Sequence, residues 1–127
     1  MPLTELNHVT VRAKDMESTR DFYVDVLGMT EGFRPDLGFP GYWLYVGKTP
    51  VLHIVPESNA IGAGPSEDTG NFDHVAFLAQ DYEGTCRHFE ALGLSFRRTD
   101  VPAARLRQLF VTDPNRVTVE LNFPNPA

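Results

Sequence analysis

Cysteine, basic residues and long apolar runs are all scarce in this chain. Cys86 is the only cysteine in 127 residues, which excludes an internal disulfide and any zinc site built from several cysteines. No apolar run approaches the ~20 residues of a membrane span, and the first fifteen residues do not resemble a signal peptide. The 11 basic residues against 17 acidic ones give a net charge of −6, which disfavours a nucleic-acid partner. We therefore expect a cytoplasmic protein with no membrane or nucleic-acid partner.

A repeat of about half the chain length is the strongest pattern present. Residues 6–11 (LNHVTV) and 72–77 (FDHVAF) each place a histidine after Asn or Asp and before a strand-like run. An aspartate follows each histidine by seven residues and has the position of a helix N-cap. The helical pattern then runs to Leu-Gly, 13 residues after Asp15 and 12 after Asp81. Each half is thus predicted to begin with a strand and a helix.

Three further strands are predicted in each half. Aromatic and β-branched runs bounded by Pro, Gly, Asn or Asp mark most of them, although the first of the three in the first half is weakly marked. The predicted strands are 31–37, 42–46 and 51–55 in the first half, and 94–97, 106–111 and 117–123 in the second. The sequence therefore predicts an α+β fold of two βαβββ modules in one domain, 1–127. Module one spans 1–57, a linker rich in Gly, Pro and Ser spans 58–70, and module two spans 71–127.

Four polar residues within the strands occupy matching places in the two halves. His53 follows His8 by 45 residues, and Glu120 follows His74 by 46. Two similar modules related by a pseudo-twofold axis would bring these four side chains to a common centre. Three imidazoles and one carboxylate suit Fe²⁺, Mn²⁺, Co²⁺, Ni²⁺ or Zn²⁺ as a cofactor. His88, on the second helix, has no counterpart and is interpreted as a surface residue.

The chain resembles the vicinal-oxygen-chelate superfamily of glyoxalase, bleomycin-resistance and extradiol-dioxygenase proteins. This resemblance implies that the mixed sheets of the two modules curl around a metal site and that the protein forms a homodimer. His8, His74 and Glu120 match the usual ligands, and His53 stands where glyoxalase I-like members place a fourth ligand. The residues that carry the resemblance are 6–9, 22–23, 27–29, 72–75, 113–115 and 119–121.

The implied chemistry is chelation of two adjacent oxygens of a small-molecule substrate on the metal, which stabilises an oxyanion. His53 and Glu120 are the catalytic candidates. A four-ligand site that includes His53 favours isomerase or lyase chemistry, whereas His8, His74 and Glu120 alone resemble the facial triad of Fe(II) oxygenases. In that second case His53 is an acid–base residue, and the protein is an extradiol dioxygenase for a catechol-like substrate.

Four further residues are predicted to bind substrate. Trp43 and Tyr45 share one strand face, and Phe110 lies on another strand, so the pocket is expected to be partly aromatic. Arg12 matches a position that contacts a glutathione carboxylate in glyoxalase I. Gly70 and Glu57, however, replace other residues of that kind, so a glutathione site is incomplete.

Two other functions are known within the superfamily that the chain resembles. A metal-free small-molecule binding protein, like the drug-sequestering members, is an alternative, although such members tend to lack the ligand set. A resistance-conferring thiol transferase would need an arginine cluster that the sequence does not place.

Arg116 stands where the family usually has glycine, and Asn115 is expected to take the left-handed conformation of that turn.

Overall fold

The computed structural model describes residues 5–59, 69 and 72–124. The chain divides into two compact units, Met1–Ser66 and Glu67–Ala127. The predicted linker, 58–70, lies mostly outside the described residues; a 3₁₀ turn, Glu57–Asn59, covers its start. Among the described residues, no helix is both long and apolar enough to span a membrane.

The first unit is a four-stranded mixed sheet with one helix. Its sheet has the order β1-β4-β3-β2, in which β1 runs parallel to β4 and the other neighbours are antiparallel. The helix α1 continues directly into a π-helical segment, Phe22–Val26. The elements are β1 Val9–Ala13, α1 Met16–Asp21, β2 Thr30–Glu31, β3 Tyr42–Val46 and β4 Thr49–Pro56.

The second unit repeats this architecture. The elements are β5 His74–Leu78, α2 Tyr82–Ala91, β6 Arg97–Val101, β7 Leu106–Thr112 and β8 Thr118–Pro124. The sheet has the order β5-β8-β7-β6, and its first and last strands along the chain are again parallel neighbours. A 3₁₀ turn, Pro102–Ala104, joins β6 to β7. The predicted α+β fold of two βαβββ modules is confirmed.

The ends of both helices follow the sequence pattern. The Asp15 side chain accepts a hydrogen bond from the Ser18 amide at 3.0 Å, and Asp81 accepts one from Gly84 at 3.1 Å. These bonds satisfy amide groups that the first helical turn leaves unpaired. The glycines after the helices, Gly28 and Gly93, have φ of 77° and 67°, a conformation that costs glycine little.

Two of the predicted strands, the first of the three in each half, were placed wrongly. Strand β2 covers only Thr30–Glu31 instead of 31–37, because the chain beyond it contains Pro35 and Pro40, which have no amide hydrogen for a ladder. Strand β6 begins at Arg97 instead of residue 94. The Leu94 amide donates to the Phe89 carbonyl at 3.0 Å, which ties that residue to the end of α2.

The turn before β8 also differs from expectation. Arg116, with φ of 68°, takes the left-handed conformation that was predicted for Asn115. The buried Asp113 explains this, because its Oδ1 accepts hydrogen bonds from the Asn115 amide at 2.7 Å and the Val117 amide at 2.9 Å. The chain must reverse between these two anchored amides, and residue 116 is the position left to do so.

Strand alternation separates a core face from a polar face in each sheet. In β8, Val119, Leu121 and Phe123 are buried, so Glu120 and Asn122 lie on the opposite face. In β4, Leu52 and Ile54 have no exposed surface, which places His53 opposite them. The polar faces therefore carry His53 and Glu120, two of the four predicted metal ligands.

Truncation of Phe89 should test the core of the second unit. Phe89 is fully buried, so Phe89→Ala should lower the free energy of unfolding by about 3–5 kcal/mol, through lost burial and the cavity left behind. Leu92→Ala is the control, because Leu92 lies on the same helix face in the sequence pattern but is 50% exposed. Urea denaturation measures both, and equal losses would contradict the described core.

Candidate functional site

The strand register gives the two predicted ligands of each unit the same relative position. His53 lies opposite Thr10, two residues after His8. Glu120 lies opposite Ala76, two residues after His74. Both pairings are between the parallel first and last strands of a unit, so each unit brings its first-strand histidine next to its last-strand polar residue.

In the first unit, three aromatic rings stack across the strands. The His53 ring lies 4.1 Å from the Trp43 ring with an interplanar angle of 6°, and 3.8 Å from the His8 ring with an angle of 15°. Trp43 is directly opposite His53 in the β3–β4 ladder, so the register itself produces this contact. The stack fixes His53 between a large apolar ring and a second imidazole.

The protonation of His53 follows from its surroundings. Its Nε2 lies 3.2 Å from the Pro50 carbonyl oxygen, which can only accept, so Nε2 carries the hydrogen and Nδ1 keeps the lone pair. Burial lowers the pKa of His53, and the charges of His8 and Arg34 lower it further. The ring is therefore neutral near pH 7 and has a free acceptor nitrogen.

In the second unit, Glu120 is held from two sides. Its Oε1 lies 3.2 Å from His74 Nε2, and Gln108 Nε2 donates to its Oε2 at 3.3 Å. The same Gln108 nitrogen donates to Asn122 Oδ1 at 3.0 Å, while Gln108 Oε1 accepts from the Thr99 hydroxyl at 2.7 Å. Because an ionised carboxylate can only accept, the NH₂ group of Gln108 faces Glu120, and its Oε1 faces the Thr99 hydroxyl, which donates.

In both units, the residue before the histidine holds its Nδ1 atom. His8 Nδ1 lies 2.7 Å from Asn7 Oδ1, and His74 Nδ1 lies 2.8 Å from Asp73 Oδ2. The hydrogen bond to Asp73 is the main reason that the pKa of His74 is raised, with a smaller contribution from Glu120. An acceptor on Nδ1 directs the lone pair of a neutral ring to Nε2, as is usual for metal-bound histidine.

The donor groups fit a borderline divalent metal, with one difference between the units. Imidazole nitrogen and carboxylate oxygen, each supported by a second hydrogen bond, are suitable ligands for such ions. The lone pairs of His8 and His53, however, lie in nearly parallel planes and do not converge on one point within ~2.1 Å of both rings. Within the described residues, no group of three or more potential ligands occurs.

The residues predicted to bind substrate have varied environments. The Tyr45 hydroxyl donates to the Phe33 carbonyl at 2.6 Å, which occupies its hydrogen. Arg97 lies over the Phe110 ring at 4.2 Å, and Phe110 is directly opposite Glu120. Trp43 has the equivalent place opposite His53. Arg12 is half-buried at the far end of β1, opposite Val55.

Two residues near these pairs were not predicted. Gln108 is not among the residues that the sequence pattern singled out, and its contact with Glu120 depends on the β7–β8 register. Arg34 lies beyond the short β2, where the sequence predicted an ordinary strand. Its charge is one of the causes that lower the pKa of His53.

Comparison with known proteins identifies the family. The family model of the Glyoxalase/Bleomycin resistance protein/Dioxygenase superfamily matches residues 5–121, and the chain belongs to this superfamily.

Named relatives are distant. Glyoxylase I 4 of Arabidopsis thaliana is 28% identical over 124 residues, which cover 94% of this chain and 70% of that protein. A lactoylglutathione lyase of Schizosaccharomyces pombe is 25% identical over 144 residues, covering 95% of this chain. The chain spans only 48% of the length of that yeast enzyme.

Solved structures share the fold. An antibiotic-binding protein from Streptomyces, TnmS3, has a TM-score of 0.76 at 20% identity, and the match covers 98% of this chain and 99% of that one. A putative glyoxalase family protein from Bacillus anthracis has a TM-score of 0.75 at 23% identity, with 97% of each chain covered.

Replacement of Gln108 should test the hydrogen-bond network in the second unit. Gln108→Leu leaves Glu120 Oε2 and Asn122 Oδ1 without their donor, so we expect a loss of about 1–3 kcal/mol in the free energy of unfolding. Gln80→Leu is the control, since Gln80 is exposed and the described residues show no hydrogen bond to it. Equal urea midpoints for wild type and Gln108→Leu would contradict the network.

Proposed function

We propose that this protein is a divalent-metal enzyme that binds a small molecule through two adjacent oxygens and transfers a proton in a lyase or isomerase reaction. His8, His74 and Glu120 are the proposed ligands. The observation that carries this proposal is the repeated arrangement of both units, in which a polar residue of the last strand lies beside a histidine whose Nδ1 is held by its preceding residue. The names of the curated relatives, glyoxylase and lactoylglutathione lyase, agree with lyase chemistry.

The bound metal would supply Lewis-acid stabilisation of the oxyanion that forms when the substrate loses a proton. We assign the proton transfer to His53. Its Nδ1 is the free acceptor, so it takes the proton from carbon and returns it to a neighbouring atom of the substrate. The Pro50 carbonyl keeps its hydrogen bond to Nε2 meanwhile, and the Trp43 face stabilises the imidazolium by a cation–π contact.

The ring stack supports His53 as a base more than as a fourth ligand. Metal binding through His53 would require its ring to turn away from Trp43 and His8, at the cost of two stacked contacts. A base, in contrast, needs a fixed position and a free lone pair. The prediction that His53 is a metal ligand therefore gives way, in this proposal, to an acid–base role.

An Fe(II) extradiol dioxygenase is the second candidate, and the same stack favours it. With His53 outside the coordination sphere, two histidines and one carboxylate form the ligand set of Fe(II) oxygenases. Trp43 and Phe110, opposite His53 and Glu120 respectively, could provide aromatic surface for a catechol ring. A homodimer in the cytoplasm remains the proposed state for either function.

Metal binding by purified protein tests the ligand assignment directly. Metal-free protein titrated with Ni²⁺ or Co²⁺ in a calorimeter should bind one ion per chain. His8→Ala, His74→Ala and Glu120→Ala should each weaken binding by more than the roughly 10–100-fold that loss of a supporting contact costs. His88→Ala is the matched control, because it removes a histidine from α2 and should leave affinity unchanged.

His53→Ala separates the two roles of that residue. If His53 is the base, the variant should keep its metal affinity within a few-fold and lose turnover. A loss of affinity equal to that of His74→Ala would instead make His53 a ligand. Unchanged metal content in the other three variants would overturn the proposed metal site.

Two assays distinguish the candidate reactions. Protein loaded anaerobically with Fe²⁺ and then exposed to oxygen and a catechol should consume no oxygen if the lyase or isomerase proposal is correct. Exchange of the substrate's carbon-bound hydrogen with deuterated solvent, tested on a hemithioacetal and on a 2-oxo acid, should then occur and should be lost in His53→Ala. Oxygen uptake without such exchange would select the dioxygenase.

A further inference from the structure

We propose that Arg34 binds a carboxylate group of the ligand, next to the stacked rings of Trp43 and His53. The substrate would then be an organic anion whose carboxylate lies beside its reacting oxygens. This inference rests on the proposed function for the identity of the ligand as substrate, but the binding itself concerns the first unit alone and needs no metal.

The sheet register places Arg34 beside the ring stack. Thr30 lies opposite Tyr45, and the Gly32 amide donates to the Trp43 carbonyl at 3.2 Å, so the antiparallel alignment continues past the end of β2. Two residues further, this alignment brings Arg34 opposite Gly41. A Cβ atom on Gly41 would lie only 3.0 Å from Arg34 Nη2, which shows that the guanidinium rests on this glycine.

The guanidinium has donors without acceptors. Its Nε and Nη2 atoms are buried, and neither has a hydrogen-bond partner among the described residues. No ion pair to Arg34 occurs in that part of the chain either. Arginine stays charged at all physiological pH values, so buried N–H groups of this kind carry a large cost until an acceptor meets them.

The second unit has a carboxylate acceptor at a position where the first unit has none. The alignments make Thr99 and Gln108 the equivalents of Arg34 and Gly41, and there the Gln108 amide donates to the carboxylate of Glu120. The residue equivalent to Glu120 is His53, which offers no carboxylate. The first unit thus has a stronger donor than the second and lacks the carboxylate that would receive its hydrogen bonds.

The two unpaired atoms define the chemical class of the ligand. Nε and Nη2 form one edge of the guanidinium, and their parallel N–H bonds match the two oxygens of a carboxylate. The Phe39 ring, 5.0 Å from Arg34 Cζ, helps to cover the group. Phe39 is half-buried and lies in a stretch without helix or strand, so its ring is the group that a carboxylate would displace to reach the guanidinium.

Trp43 is the only tryptophan in the chain and provides the readout. Metal-free protein, kept in EDTA, is titrated with benzoate, with its neutral analogue benzamide and with inorganic phosphate while Trp43 fluorescence is followed. We expect saturable binding of benzoate and at least tenfold weaker binding of benzamide.

Arg34→Lys, which keeps the charge but loses the paired N–H edge, should weaken benzoate binding about tenfold or more. Arg107→Lys is the control, since Arg107 Nε is also buried and unpaired but lies in the second unit.

An NMR measurement on unmodified protein covers the case in which Arg34→Lys does not fold. Benzoate should shift the Arg34 Nε–H resonance of wild-type protein, and benzamide should not. No shift, equal binding of benzoate and benzamide, or unchanged affinity in a folded Arg34→Lys variant would overturn the proposal. Tighter binding of phosphate than of benzoate would overturn the carboxylate assignment. Because EDTA is present throughout, failure of the metal-site proposal would leave these results unaffected.

Discussion

The parallel pairing of the first and last strands in each unit is the constraint on which the rest of the structure depends. A parallel ladder fixes which residue of β4 lies beside β1 and which residue of β8 lies beside β5. In both ladders the polar residue of the last strand lies opposite the second residue after the histidine. Side-chain alternation then assigns Leu52 and Ile54, or Val119 and Leu121, to the core. A slip of one residue would exchange the buried and polar faces, so the core itself holds His53 and Glu120 in position.

The two units use one backbone plan for different chemistry. In the second, Thr99, Gln108 and Glu120 form a continuous hydrogen-bonded row across three strands that ends at His74. In the first, the His53 imidazole stands in the place of the Glu120 carboxylate and Gly41 in the place of Gln108, and His53 is held by stacking on Trp43 and His8. The duplicated fold thus provides one half suited to hold charge and another half suited to hold a neutral imidazole.

The repeat made much of this predictable from sequence. Residue spacing singled out the histidines and Glu120 as candidates. It also predicted the aspartate caps and the glycines that end both helices, because these features depend on local chain order. The extents of β2 and β6 were wrong, since Pro35 and Pro40 shorten one strand and the end of α2 delays the other. Gln108 and Arg34 could not be recognised, because their neighbours are set by antiparallel registers that a single sequence does not contain.

The π-helical segment after α1 shows how the two copies diverged in length without losing their alignment. The first helix region has one residue more than the second between its aspartate cap and its glycine, and the π-helical geometry at Phe22–Val26 accommodates such an extra residue. A single inserted codon could therefore be absorbed as a bulge within one helix, and the strands on either side would keep their pairing partners.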